Sequence, residues 1–261
     1  MHMKTIKKDT SLLTTILTSI NEFCARRTVR SSAYRVALDA LPPTLFHYWR
    51  RSAQFEFKGI PRDAFFYARA ADGLMTFFDC VSRSKRPCAL PSVAADSVWH
   101  AWLRLDAEGL ERFCIRHFGR AIPHVEGAAM ADTMDAALAN CLVQARELEG
   151  IGSAGPNVPR LFTLDRRLRM PGGFAYQMAS GEVAYRNMNG AGRPHGEMFY
   201  PCALAGTALL ATGLVSQADF DLAERKRANQ GGACGSGCGS SCGSSCGSSC
   251  GSSCGGGCGG D

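Results

Sequence analysis

The end of the chain, residues 231–261, cannot fold by itself, and this confines the globular structure to the residues before it. Apart from Ala233 and Asp261 it contains only Gly, Ser and Cys, so it has almost no apolar surface to bury. The chain has 261 residues, 46% of them hydrophobic, which is enough for one domain with a substantial core. The sequence therefore predicts a helical globular domain over residues 1–230 and a disordered Cys/Gly/Ser repeat tail over residues 231–261.

Most of the predicted domain has the periodicity of amphipathic helices. A pair of alternating apolar runs around Ser180-Gly181 is the clear sheet signal and predicts a β-hairpin over residues 174–186. The expected fold is mainly α: a single helical domain with one small β-hairpin and a disordered C-terminal tail. Helices are predicted over residues 12–23 (after a cap at 9–11), 33–41, 43–55, 61–81, 130–148, 199–214 and 216–229, with a short basic element at 161–168.

Residues 91–126 form the stretch around which we expect the core to be built. Its large apolar side chains recur three and four residues apart, which places them on one helix face that must be buried. Residues 106–109 fit either the continuation of this helix or the N-cap and first turn of a second one. The residues of this predicted face are Trp99, Trp102, Leu103, Leu110, Phe113, Cys114 and His117.

A polar group lies beside this apolar face. Asp96 and His100 are four residues apart, so they share a helix face, and His124 follows a Gly-to-Pro turn that can return it to them. Together with Cys114 these residue types suit a buried metal site. The competing interpretation, which the sequence favours, is that Asp96 holds His100 as a core histidine and that Cys114 is a small apolar residue. A catalytic Cys114 paired with a histidine has no adjacent orienting motif.

The same residues carry a resemblance to a known family. Asp96-x-x-Trp99-His100, Phe113-Cys114, Phe118-Gly119 and Ile122-x-His124 resemble the short signature of the glycine-rich domain-containing protein-like family. This chain has Pro123-His124 where that pattern has a pair of histidines. The resemblance implies a mostly helical fold followed by Gly-rich or Gly/Cys-rich sequence.

The tail carries the strongest chemical signal. Thiolates bind Cu(I) and Zn, and a Gly/Ser backbone lets several sulfurs surround one ion. The leading hypothesis is a non-enzymatic protein that binds soft metal ions through these thiolates. One alternative is a precursor or carrier whose tail is modified by partner enzymes, another is a repeat without selected chemistry, and a third is an enzyme or metal site centred on His100, Cys114 and His124. The repeated cysteines are Cys234, Cys238, Cys242, Cys246, Cys250, Cys254 and Cys258.

The expected partners are therefore metal ions or a modifying enzyme. Polar residues interrupt the first apolar stretch and no small-residue cleavage site follows it, which argues against a signal peptide. The apolar run 203–215 is too short to span a bilayer. A net charge of +6 without a basic run with interleaved aromatic residues predicts no nucleic-acid partner. We expect a cytoplasmic location, where 13 cysteines stay mostly reduced.

Overall fold

The structure, a computed structural model, describes residues 3–125 and 133–230. It confirms a mainly α fold with a small antiparallel sheet. The predicted tail and its repeated cysteines lie outside the described residues. None of the described helices is long and apolar enough to cross a membrane.

The helices are α1 (Met3–Ser31), α2 (Arg35–Asp39), α3 (Pro43–Glu56), α4 (Ala64–Arg83), α5 (Val93–Phe118), α6 (Met134–Leu148), α7 (Leu164–Leu168), α8 (Gly206–Ala211) and α9 (Gln217–Gln230), and the strands are β1 (Phe174–Ala179), β2 (Glu182–Met188) and β3 (Pro194–Phe199).

Helix α4 lies at the centre of the helical layer and packs against α1, α5 and α6. It begins at the N-cap Asp63, whose side chain accepts a hydrogen bond from the N–H of Phe66 at 3.0 Å. Gly73 allows α7 to approach closely, because a Cβ at this position would lie 2.3 Å from Cδ2 of Leu164. The fully buried Phe78 of α4 then meets the Trp99 ring of α5 edge-on at 5.3 Å.

Helix α5 has a kink that divides it into two arms, residues 93–105 and 107–118. Asp106 leaves the helical conformation with φ −163° and ψ 84°, and its Oδ1 accepts the N–H of Gly109 at 2.8 Å. Both sequence interpretations of residues 106–109 are thus partly right, because one helix contains a second N-cap. The predicted buried face is confirmed for Trp99, Trp102, Leu110, Phe113 and Cys114, whereas Leu103 and His117 are half-buried.

The predicted hairpin is confirmed as β1 and β2, which pair in antiparallel register from Phe174↔Asn187 to Ala179↔Glu182. Ser180 and Gly181 both have positive φ, 51° and 81°, as a two-residue primed turn requires. The third strand, β3, pairs with β2 across a bulge. It was not predicted.

Two element predictions were wrong in their extent. Helix α1 begins at Met3, so the expected cap at residues 9–11 lies inside it. The helix expected over residues 199–214 is replaced by the end of β3, a 3₁₀ turn at Cys202–Leu204 and the short α8. Pro201 precedes the 3₁₀ turn and Ala205 separates it from α8, and Leu204 and Leu209 still bury their side chains in the core.

The buried carboxylate of Asp165 joins α7, α5 and β1. It accepts the hydroxyl of Ser92 at 2.7 Å and the N–H groups of Val93, Ala94 and Phe174 at 3.0, 2.9 and 3.1 Å. Three of these donors belong to the start of α5, whose first N–H groups have no partner within the helix. Asp165 therefore fixes the first arm of α5, the arm that carries Asp96 and His100.

Candidate metal centre

Asp96, His100 and His124, called the triad below, come together at one side of the first arm of α5. Asp96 and His100 are one helical turn apart. His124 returns to them because Gly119 ends α5 in the left-handed conformation, φ 78°, and Ile122 is buried beyond it. The meeting of Asp96 and His100 with His124 that the sequence suggested is what the structure shows.

Three potential ligand atoms converge in the triad. Nε2 of His100 lies 3.1 Å from Nε2 of His124. One carboxylate oxygen of Asp96 lies 3.4 Å from Nε2 of His100 and the other lies 3.4 Å from Nε2 of His124. One ligand atom from each residue lies within 4.8 Å of the others, and this is the one such group of three or more among the described residues.

Glu56 and Arg104 support the triad from behind. Glu56 Oε1 lies 2.5 Å from Nδ1 of His100, and its Oε2 accepts a hydrogen bond from Arg104 at 2.6 Å. Burial raises the pKa of Glu56, but the hydrogen bonds from Arg104 and His100 outweigh it and hold the pKa below its ordinary value of 4.5. Glu56 is thus a carboxylate that accepts a hydrogen bond from Nδ1 of His100, and with Nδ1 as the donor the other nitrogen, Nε2, is the one that can offer a lone pair to the triad.

Aromatic rings fix the two histidines. The edge of Trp99 meets His124 with the ring centres 4.5 Å apart, and Phe57 lies 5.9 Å from His100. The side chains of His100 and His124 keep 23% and 15% of their surface exposed. His100 lies 3.4 Å from Asp96 but makes its short hydrogen bond to Glu56, and it lies at the edge of the core rather than inside it as expected.

The triad lies in the wall of a cavity of about 560 Å³. Trp99 and apolar residues of α4, α5 and the two loops around them form much of its lining. Cys88, on the loop between α4 and α5, also lines it. The buried Asn140 holds this loop on α6, donating to the carbonyl of Pro87 at 2.9 Å and lying 3.2 Å from the sulfur of Cys88.

The structure separates Cys114 from the triad. Its side chain is fully buried, and burial raises the pKa of its thiol to about 12, so it stays a protonated core residue. The ring of His117 lies against that of Phe113 with the centres 4.4 Å apart and the planes tilted by 39°, and burial followed by the charge of Arg116 lowers the pKa of His117. The interpretation of Cys114 as a small apolar residue fits these surroundings.

Sequence reasoning missed Glu56, Arg104 and Cys88. Arg104 follows His100 by four residues, so the series Asp96, His100, Arg104 on one helix face was a signal available in the sequence. Glu56 is 44 residues from His100 and reaches it only because α3 packs on α5. Cys88 had no local signal, since its surroundings come from α4 and α6.

Comparison of the sequence with known protein families identifies the family of this chain. The model of the UCP032817-like family matches residues 66–197, just over half of the 261 residues. The chain belongs to the UCP032817-like family. The UCP032817-like region runs from α4 to β3, so it includes the triad and Cys88 but not Glu56. No curated protein and no solved structure gave a match.

Proposed function

We propose that this domain binds a divalent transition-metal ion through Asp96, His100 and His124. The spacing of the ligand atoms carries the proposal. Bonds of 2.0–2.1 Å in tetrahedral Zn²⁺ sites place neighbouring ligand atoms about 3.3 Å apart. The two Nε2 atoms in the triad are 3.1 Å apart, and each lies 3.4 Å from a different carboxylate oxygen of Asp96.

Electrostatics at the two histidines also favours a cation. Two imidazole nitrogens that both carry lone pairs repel each other at 3.1 Å, so a proton or a metal ion must lie between them. Glu56 fixes the Nδ1 proton of His100, and a carboxylate behind a histidine is the usual partner of a metal-binding imidazole. Asp96 adds the negative charge that a divalent ion requires.

The ligand set defines the kind of ion and of site. Two imidazoles and a carboxylate suit Zn²⁺, Fe²⁺ or Co²⁺ rather than Cu(I), which prefers sulfur. Three protein ligands leave at least one coordination position free, as in sites where an ion contacts water or a small molecule. The proposal assigns metal binding and no reaction.

Cobalt binding tests the proposal on the full-length chain with the seven tail cysteines replaced by serine. Co²⁺ held by nitrogen and oxygen gives visible d–d bands without the near-ultraviolet charge-transfer bands of thiolate ligands. We expect one Co²⁺ per chain, competed by Zn²⁺, and at least about a 100-fold weaker affinity for His124→Ala, because two ligands bind far less tightly than three. His47→Ala, on an exposed histidine of α3, is the matched control.

The proposal would be overturned if the tail-substituted chain bound no Co²⁺, or if His47→Ala and His124→Ala weakened binding equally. A hydrogen bond between the two histidines, without an ion, would then account for the short distance between their Nε2 atoms.

The tail remains a second proposed site, outside the described residues, for Cu(I) or Zn. The unsubstituted chain should then show thiolate charge-transfer bands in addition to those of the triad. Tail modification by a partner enzyme stays the alternative, and an intact mass lower by water at the serines would support it.

We also infer a cytoplasmic location, because the six described cysteines are free thiols, as expected in a reducing compartment.

A further inference from the structure

The cavity beside the triad has the size and lining of a small-molecule site. Its volume of about 560 Å³ lies within the range of pockets that enclose drug-sized ligands. Phe77, Leu90, Val93 and Ile122 give it apolar walls from three different segments. A ligand that fills it therefore needs an apolar body.

The charged residues of the lining are mostly positive. Lys85, Arg86 and Arg120 line the cavity against one acidic residue, Asp96. Arg86 donates to the carbonyl of Thr212 at 3.0 Å. Within residues 3–125 and 133–230 none of these three cations forms an ion pair with a carboxylate. The lining thus carries positive charge that no described acidic side chain neutralises.

The surroundings of Cys88, which lines the cavity, act in the same direction. The hydrogen bond from the Cys141 thiol lowers the pKa of Cys88 below its ordinary value of 9.0, although burial opposes it, and Ser84, Asn140 and the charge of Arg120 act in the same direction. Hydrogen bonds account for most of this shift, and Arg120, one of the cations of the lining, adds to it.

We propose that this cavity binds a small amphipathic anion, a molecule with an apolar body and one carboxylate, sulfonate or phosphate group. This proposal rests on the proposed metal site in one respect: the triad, with its ion, forms one end of the cavity. A metal ion on the triad would add further positive charge and a free coordination position for the anionic group.

Two probes with the same apolar body test the charge preference on the full-length chain. Anilinonaphthalene sulfonate carries the anionic group, and N-phenylnaphthylamine is the same skeleton without it. We expect the sulfonate to bind more tightly, by fluorescence titration, and its advantage to shrink as salt is added. Arg120→Gln should weaken binding of the sulfonate about fivefold and leave the neutral probe unchanged. Arg112→Gln, on an exposed arginine paired with Glu108 at 3.5 Å, is the control.

Alkylation of Cys88 reports whether the probe lies in the cavity. The tryptic peptide 86–104 contains Cys88 as its one cysteine, so its reaction with iodoacetamide can be followed by mass spectrometry. A saturating concentration of the sulfonate should slow this reaction and leave that of the exposed Cys202 unchanged. Equal binding of the two probes, or full reactivity of Cys88 under saturation, would overturn the inference.

The metal and anion proposals fail separately. Protection of Cys88 in a chain that binds no Co²⁺ would support the anion site and refute the metal site. If the chain binds Co²⁺ but the sulfonate protects Cys88 in neither the metal-free nor the metal-loaded protein, the metal site is supported and the anion site is refuted.

Discussion

The two ring nitrogens of His100 have different neighbours. Nδ1 faces the carboxylate of Glu56 and Nε2 faces His124 and Asp96. In the proposed metal site, Nδ1 is the hydrogen-bond donor to Glu56 and Nε2 is the ligand of the ion. Glu56 is in this sense a positioning residue, because it acts on the ligand atom through the ring.

Glu56→Gln tests this positioning role. The amide has the shape of the carboxylate but no charge, so it holds the Nδ1 proton less firmly and makes Nε2 a poorer ligand. We expect the affinity for Co²⁺ to fall about tenfold, as for other partners of metal-bound histidines, with the stoichiometry kept. Glu108→Gln, on an exposed glutamate of α5, should change nothing, and an unaltered affinity in Glu56→Gln would refute the positioning role.

The Cys88 thiol gives a pH-dependent signature. Its pKa is lowered by the Cys141 hydrogen bond above all, so at a given pH below 9 a larger fraction is thiolate than in an ordinary cysteine, and the thiolate is the form that is alkylated. The reaction rate of Cys88 with iodoacetamide should reach half of its plateau at a lower pH than that of N-acetylcysteine. Arg120→Gln should move this midpoint upward and Arg112→Gln should not; a midpoint at or above that of N-acetylcysteine would contradict the prediction.

Among individual residues, the sequence predicted the contacts that form within helix α5 and directly after its end. Asp96 and His100 were found because residues four apart share a helix face, and His124 because Gly119 marks the end of that helix. Glu56 could not be found, since its contact with His100 depends on how α3 packs on α5. The burial of Trp99 was predicted, but its position beside Cys88 in the wall of one cavity arises from tertiary packing.

Among the elements, the start of α5 depends on a residue of another helix. Asp165 accepts four hydrogen bonds there and at β1, and its side chain is fully buried. A Cβ on Gly173 would lie 2.5 Å from Oδ2 of Asp165, so this glycine permits the close approach of β1. The first arm of α5, and with it the triad, is placed by these contacts.

Asp165→Ala should therefore be among the most damaging single substitutions outside the triad. It leaves four donors without their acceptor, two of them in buried hydrogen bonds and two in part-buried ones, and we expect the free energy of unfolding to fall by about 3 kcal/mol or more. Asp39→Ala removes an exposed pair with Arg35 at 3.5 Å and should cost less than about 1 kcal/mol. Urea unfolding followed by circular dichroism compares them, and similar losses in both variants would contradict the role of Asp165.

The elements that the sequence predicted well have uninterrupted patterns. Helices α3 and α4 and the β1–β2 hairpin combine a clear period with a proline, a cap or a turn pair. Strand β3 escaped prediction because Pro194 and Gly196, the latter with φ 73°, are unfavourable in strands, and because its mostly exposed residues show no alternation. The expected helix over 199–214 failed because apolar content alone does not distinguish one long helix from several short buried pieces.

The whole molecule should respond to the metal through its stability. An ion that binds the folded chain at about 100 times its dissociation constant stabilises it by about 2.7 kcal/mol, which corresponds to a rise in Tm of roughly 5–10 °C for a chain of this size. We expect this rise with Zn²⁺ in the tail-substituted full-length chain and none in its His124→Ala form. Equal shifts in both forms, measured by differential scanning fluorimetry, would place the stabilising ion elsewhere.

The kink at Asp106 has a consequence for how fast an ion would leave. Asp96 lies on one arm of α5, whereas His124 is tied to the end of the other arm, 28 residues further along the chain. A bound ion would cross-link residues 96 and 124 and so close the chain between them into a loop. This cross-link lowers the conformational entropy of any state in which the second arm is opened. Release of the ion then requires local opening of the second arm. Slower amide hydrogen exchange in residues 107–118 on metal loading would be the signature of that coupling.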